Sequence, residues 1–198
     1  MHAPFDRIAR FAAAIAAVAA LAGLGLGIAV ESTARTPEDA LASPMAIAAM
    51  AASLVGLVAL VVSTVGLASS PVGGRVGTAG KLLALVGATL TSGAVWSGLA
   101  LGPWFATAVP ADVAAPETLP ALSSISYAVL GLGSVLLGIA LHRERATAGW
   151  ISALLIVGGI LCVPPFLPAR YTLVVVGIAL HLLRRPGQAA VAAAPASA

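Results

Sequence analysis

The side chains in this sequence best equipped for chemistry in an apolar setting are hydroxyls and an indole. Thr89, Ser92 and Trp96 recur at i, i+3 and i+7, which places them on one face of a helix. Ser123, Ser126 and Tyr127 open the next apolar run. Thr89, Ser92, Trp96 and Tyr127 could therefore contact a small neutral solute or a lipid headgroup. The plainer reading is that each hydroxyl donates to a carbonyl one turn back in its own helix or bridges to a neighbouring helix. No ionisable side chain accompanies the patch, and intramembrane charge is the usual mark of a pathway.

Other candidates are sparse. His142 and His181 end two runs that cross in the same direction, so they share a depth and could in principle hold a haem or metal together. Both sit beside arginine at helix C-termini, where an imidazole suits the helix dipole without any ligand. Cys162 is the single cysteine, which excludes an internal disulfide, a paired-cysteine redox site and a thiolate metal site. Glu38 and Asp39 are adjacent but read as solvated turn charges. There is no Gly-x-Ser-x-Gly, His-Glu-x-x-His or phosphate-loop pattern. The chain is expected to lack catalytic residues, cofactor and metal, and not to be an enzyme.

The elements that must position these residues are membrane spans. Of the 198 residues, 60% are hydrophobic and 9% charged, with a mean hydropathy of +1.07, whereas soluble domains carry about a quarter charged residues. Lipid must be the main solvent, and membrane lipids are expected contacts. The net charge of +3 comes from ten dispersed Lys and Arg residues rather than a basic stripe, so nucleic acid is not an expected partner.

A charge at the bilayer centre costs about 2.5 to 3.5 kcal/mol. Cutting the chain at charges, Pro and Gly predicts six helices, at Ile8–Val30, Met45–Leu67, Leu82–Trp104, Ala121–Leu141, Ala146–Val163 and about Phe166–Leu183. Arg7, Arg10, Arg75, Lys81, Arg143, Arg145, Arg184 and Arg185 then fall on one side, with only Arg35 and Arg170 opposite. By the positive-inside rule both termini are cytoplasmic. Pro44, Pro120 and Pro168 mark the starts of the three inward-running helices, because proline in a first turn loses only a donor that has no partner anyway. The expected fold is an all-α bundle of six transmembrane helices in three antiparallel hairpins, multi-pass in the cytoplasmic membrane.

Two spans are less regular. The first could be the apolar region of a secretory signal, although its apolar run exceeds the usual length of about 7 to 15 residues. The last apolar run, 171–183, reaches a full span only if Arg170 snorkels and Phe166 and Leu167 join the helix. Residues 1–185 form one expected domain, and 186–198 form a low-complexity, disordered tail.

Small residues recur at three- and four-residue spacing: Ala16, Ala19, Gly23 and Gly27 on the first helix, Gly98 and Gly102 on the third, and Gly131, Ser134 and Gly138 on the fourth. Such faces let helix backbones approach closely. They could serve packing within one bundle, contact with other membrane subunits, or a homo-oligomer. The pentapeptide Gly-Ile-Ala-Leu-His also occurs twice, at 138–142 and 177–181. It reads equally as a duplicated hairpin or as chance similarity at equivalent interface positions. The function this supports is a non-enzymatic accessory or scaffold subunit acting through helix contacts. The alternative is a small carrier or channel for a neutral or lipidic solute.

Overall fold

The computed structural model describes residues 3–33, 43–68, 74–108, 118–164 and 170–184, with side-chain surroundings for 5–33, 43–68, 74–100, 123–164 and 170–184. Six helices account for almost all of them: α1 Ala3–Thr33, α2 Pro44–Ala68, α3 Gly74–Ala108, α4 Thr118–Arg143, α5 Gly149–Leu161 and α6 Thr172–Arg184. No strand occurs among the described residues. Four stretches are long and apolar enough to cross a membrane: Phe5–Thr33, Pro44–Ala68, Gly74–Ala100 and Ser123–Arg143. α5 and α6 are apolar but have 13 residues each, about 20 Å at 1.5 Å per residue against about 30 Å of hydrocarbon. The expected tail, Pro168 and the Phe166–Leu167 extension lie outside the described residues.

Local chemistry explains several boundaries. α2 starts at Pro44 behind Ser43, whose hydroxyl accepts from the Ala46 amide at 3.0 Å, a serine N-cap with proline at the first helical position. α4 starts two residues before Pro120, which therefore falls in its first turn. The turn after α4 is a Schellman cap. Arg145 takes φ 50° in the left-handed region, while the Ala146 amide reaches back to the Leu141 carbonyl at 3.0 Å and the Arg145 amide to the His142 carbonyl at 3.2 Å.

That cap uses Ala146, so α5 begins at Gly149 rather than at 146. α5 stops at Leu161 ahead of Pro164 and Pro165, where proline lacks the amide a continuing helix needs. α6 begins at Thr172 rather than near Phe166, because Arg170 and Tyr171 form a turn. α3 begins at Gly74, eight residues before the expected Leu82, so Lys81 lies two turns inside the helix.

The helices form a closed ring in chain order. Each packs on the next, α6 returns to α1, and α6 also reaches α2 across the ring. Glycine seams fix the antiparallel registers. Gly56 faces Ala16 and Ala20 between α1 and α2. Gly87 lies on Leu130 and Gly80 on Leu137 between α3 and α4. Gly131 meets Gly159 between α4 and α5. The two copies of the repeated pentapeptide flank α5: Gly138 of α4 and Gly177 of α6 both approach Leu155. α6 is the innermost element, burying Thr172, Val174, Val175, Gly177, Ile178, Ala179, His181 and Leu182. At its C-terminal end the Arg184 guanidinium carbon lies 4.7 Å from the centre of the Trp150 ring of α5, closing the short hairpin.

Candidate functional site

The hydroxyl and aromatic residues singled out from the sequence separate into two places. On α3 the Thr89 hydroxyl donates to the Leu85 carbonyl at 2.9 Å and the Ser92 hydroxyl to the Ala88 carbonyl at 2.7 Å. Thr89 is exposed, and Trp96 beyond it is 58% exposed. This face of α3 turns away from the bundle, and its hydroxyls are satisfied within their own helix. On α4, Ser126 is buried and donates to the Ser123 carbonyl at 2.7 Å.

Tyr127 does not join Thr89, Ser92 and Trp96. It stacks on Tyr171 with ring centroids 6.4 Å apart and planes 20° from parallel, and the Arg170 guanidinium carbon lies 4.5 Å from its ring centre. Tyr171 is 1% exposed. The Ser53 side chain of α2 lies beside its phenol oxygen without closing a hydrogen bond to it. The Cys162 thiol contacts the Arg170 carbonyl oxygen at 3.6 Å, so the lone cysteine anchors the turn that carries the arginine. Arg170 is half-buried, and its buried Nη1 has no hydrogen-bond partner. Residues from α2, α4, α5 and the start of α6 thus converge at this end of the ring.

Tyr127 lies about 24 Å along α4 from Arg143 at 1.5 Å per residue. About 30 Å of hydrocarbon measured from Arg143 on the same scale reaches to about Ser123, inside α4, which begins at Thr118. The Arg170 turn is therefore about 6 Å beneath that level. Arg170 and Tyr171 were missed as a site in the sequence. The available signal was the shortfall of the run 171–183, which placed an arginine and a turn where a full span should continue.

The opposite end holds a second feature that sequence reasoning missed. Lys81 and His181 are each 2% exposed, and Ser63 and Thr64 of α2 are buried. Lys81, expected at a helix end, is instead enclosed by the bundle because α3 starts earlier. His142 is exposed while His181 is buried, so the two histidines occupy different surroundings. Among the described residues, no three of His, Cys, Asp and Glu gather as a metal site would require.

The small-residue positions also divide. A Cβ at Gly131 would fall on the Gly159 carbonyl oxygen, one at Gly138 would lie 2.9 Å from the Ser152 carbonyl oxygen, and one at Gly23 would lie 2.7 Å from the Ser53 hydroxyl. Ser134 donates across the α4–α5 seam to the Leu155 carbonyl at 2.8 Å. Gly27 and Gly98, in contrast, have nothing within 4 Å of a Cβ, so the close approach expected at them does not occur among the described residues. The surroundings of Gly102 lie outside those described. A shallow groove of about 440 Å³ between α1 and α2 is lined only by apolar residues, among them Phe11, Ile15, Val55 and Val58. No family model, curated protein or solved structure matches the chain.

Proposed function

We propose that this chain is a non-enzymatic, multi-pass protein of the cytoplasmic membrane that acts as an accessory or scaffold subunit, offering the outer half of α3 to a helix of another subunit or of a second copy. In this reading the chain crosses six times as one domain, with both termini cytoplasmic. α1 to α4 make full crossings, and α5 and α6 form a shorter third hairpin.

The observation that carries the proposal is the burial pattern of α3. Its inner half is packed on α4 and buries Gly77, Gly80, Lys81, Ala84, Gly87, Ala88 and Thr91, yet no residue from Ser92 to Ala100 is buried. Gly93 and Gly98 stand open there. A helix face with open glycines is what another membrane helix can approach closely. The alternative, a carrier or channel along Thr89, Ser92, Trp96 and Tyr127, has less support, since Thr89 and Trp96 face outward, Ser92 is satisfied within its own helix and Tyr127 is stacked elsewhere.

Single cysteines at Gly93 and Gly98 in a Cys162→Ala background test the proposal by crosslinking in native membranes. Adducts of one discrete mass from these sites, and none from Ile160 on the exposed face of α5, are expected. A chain that yields none from either α3 site under conditions that modify both is not acting through this face. Cysteines placed at Thr78 and Ala114 should label from opposite sides of the membrane. Labelling of both from one side would remove the six-crossing topology.

A further inference from the structure

We propose that Arg170 is a binding site for a phosphate group at the outer face, held between the Tyr127 ring and the start of α6. The site rests on the membrane reading of the fold and on no subunit partner.

Three observations converge on it. The guanidinium is placed by the Tyr127 ring at 4.5 Å and by the Cys162 thiol on its backbone carbonyl at 3.6 Å, so it is preorganised. It is also short of acceptors: Nη1 is buried without a hydrogen bond, and among the described residues no carboxylate pairs with it. A guanidinium offers five donors and no acceptor, so only an acceptor-rich group completes it, and its fork matches two oxygens of a phosphate. Finally, the N-terminal end of α6, with its partial positive charge, lies directly after Arg170.

Depth identifies the phosphate. The α5–α6 hairpin is about 10 Å shorter than the hydrocarbon is thick. A short element thins the bilayer beside it, which lowers lipid phosphates towards the turn. The turn lies about 6 Å beneath the level of Ser123, a distance an arginine side chain reaches by snorkelling. Phosphodiesters of the outer leaflet are the acceptor-rich anions present at that depth. Inorganic phosphate from the outer solution is the other source of the same chemistry.

The test uses the full chain in nanodiscs. Discs of phosphatidylglycerol are compared with discs of an uncharged, phosphate-free glycolipid, the latter with and without added inorganic phosphate. The unaltered protein should melt higher in phosphatidylglycerol and should retain a phospholipid in native mass spectrometry. Arg170→Gln should lower that retention about tenfold, as expected for losing a charged hydrogen bond, with Arg170→Lys intermediate. If inorganic phosphate restores the melting temperature in glycolipid discs, the site takes the free ion; if only phospholipid does, it takes the lipid.

A folded Arg170→Gln protein that retains as much phospholipid as the unaltered one overturns the site. Should that variant fail to fold, equal melting of the unaltered protein in all three conditions overturns it as well. Either result, in a protein that enters discs, leaves the membrane reading standing. Failure to enter discs removes the membrane reading itself.

Discussion

α3 and α6 are opposites built from similar residues. α3 has 35 residues and buries none of those from Ser92 to Ala100, while α6 has 13 residues and buries eight of them. Both contain long apolar runs, so hydropathy alone does not say which faces lipid and which faces protein. In lipid there is no hydrophobic drive to bring helices together, and close packing decides instead. α6 is fixed by Gly158 against Leu173 and Val174 and by Gly177 against Leu155. The stretch 92–100 of α3 has glycines of the same kind and, among the described residues, no neighbour within 4 Å of a Cβ at Gly93 or Gly98.

The sharpest way to break this contrast is to truncate one large aromatic beside each region. Tyr171→Ala should cost about 3 kcal/mol, the low end for aromatic truncation, because lipid solvates the side chains that an opened bundle exposes better than water does. Trp96→Ala should change stability by less than about 0.5 kcal/mol. Thermal unfolding in detergent followed by circular dichroism measures both, and equal losses would erase the distinction. Next in size is a glycine pair. Gly131→Leu must force α4 from α5 at the cost of overpacking, about 1 to 3 kcal/mol or loss of assembly, whereas Gly98→Leu should leave the melting temperature where it was.

Smaller effects sharpen the comparison. Ser134→Ala removes a hydrogen bond between helices and should cost about 0.6 kcal/mol. Thr89→Val with Ser92→Ala removes only bonds within α3, and the double variant should fold and melt as the parent does. The smallest change is at the turn between α4 and α5. Arg145→Gly relieves a left-handed arginine worth about 1 to 2 kcal/mol, offset by about 0.5 to 1 kcal/mol of glycine chain entropy. A rise in melting temperature of a few degrees or less is expected.

Much of the fold was legible because charge and proline punctuate an apolar sequence. The four long helices follow from uncharged runs, and Pro44 with Ser43 sets the start of α2. What was not legible depends on partners distant in sequence. Lys81 reads as a boundary charge until Gly74 opens α3 two turns earlier. α5 loses its first residues to the cap on α4, and Arg145 carries no glycine signal for that cap. Tyr127 was grouped with Thr89, Ser92 and Trp96 because spacing registers only one helix at a time. Its stacking on Tyr171 joins positions 44 residues apart in the chain. Gly131 and Gly98 likewise look alike as letters and differ only in what stands opposite.

The central claim, that α6 is packed among α1, α2 and α5 while its own chain buries no residue of α3 from 92 to 100, can be tested without altering a residue. An apolar aryl diazirine dissolved in bilayers containing the purified chain is photolysed, and the carbene adducts are mapped by peptide mass spectrometry. The account predicts strong labelling across 92–100 and almost none across 172–182. Labelling of 172–182 as heavy as that of 92–100 would contradict it.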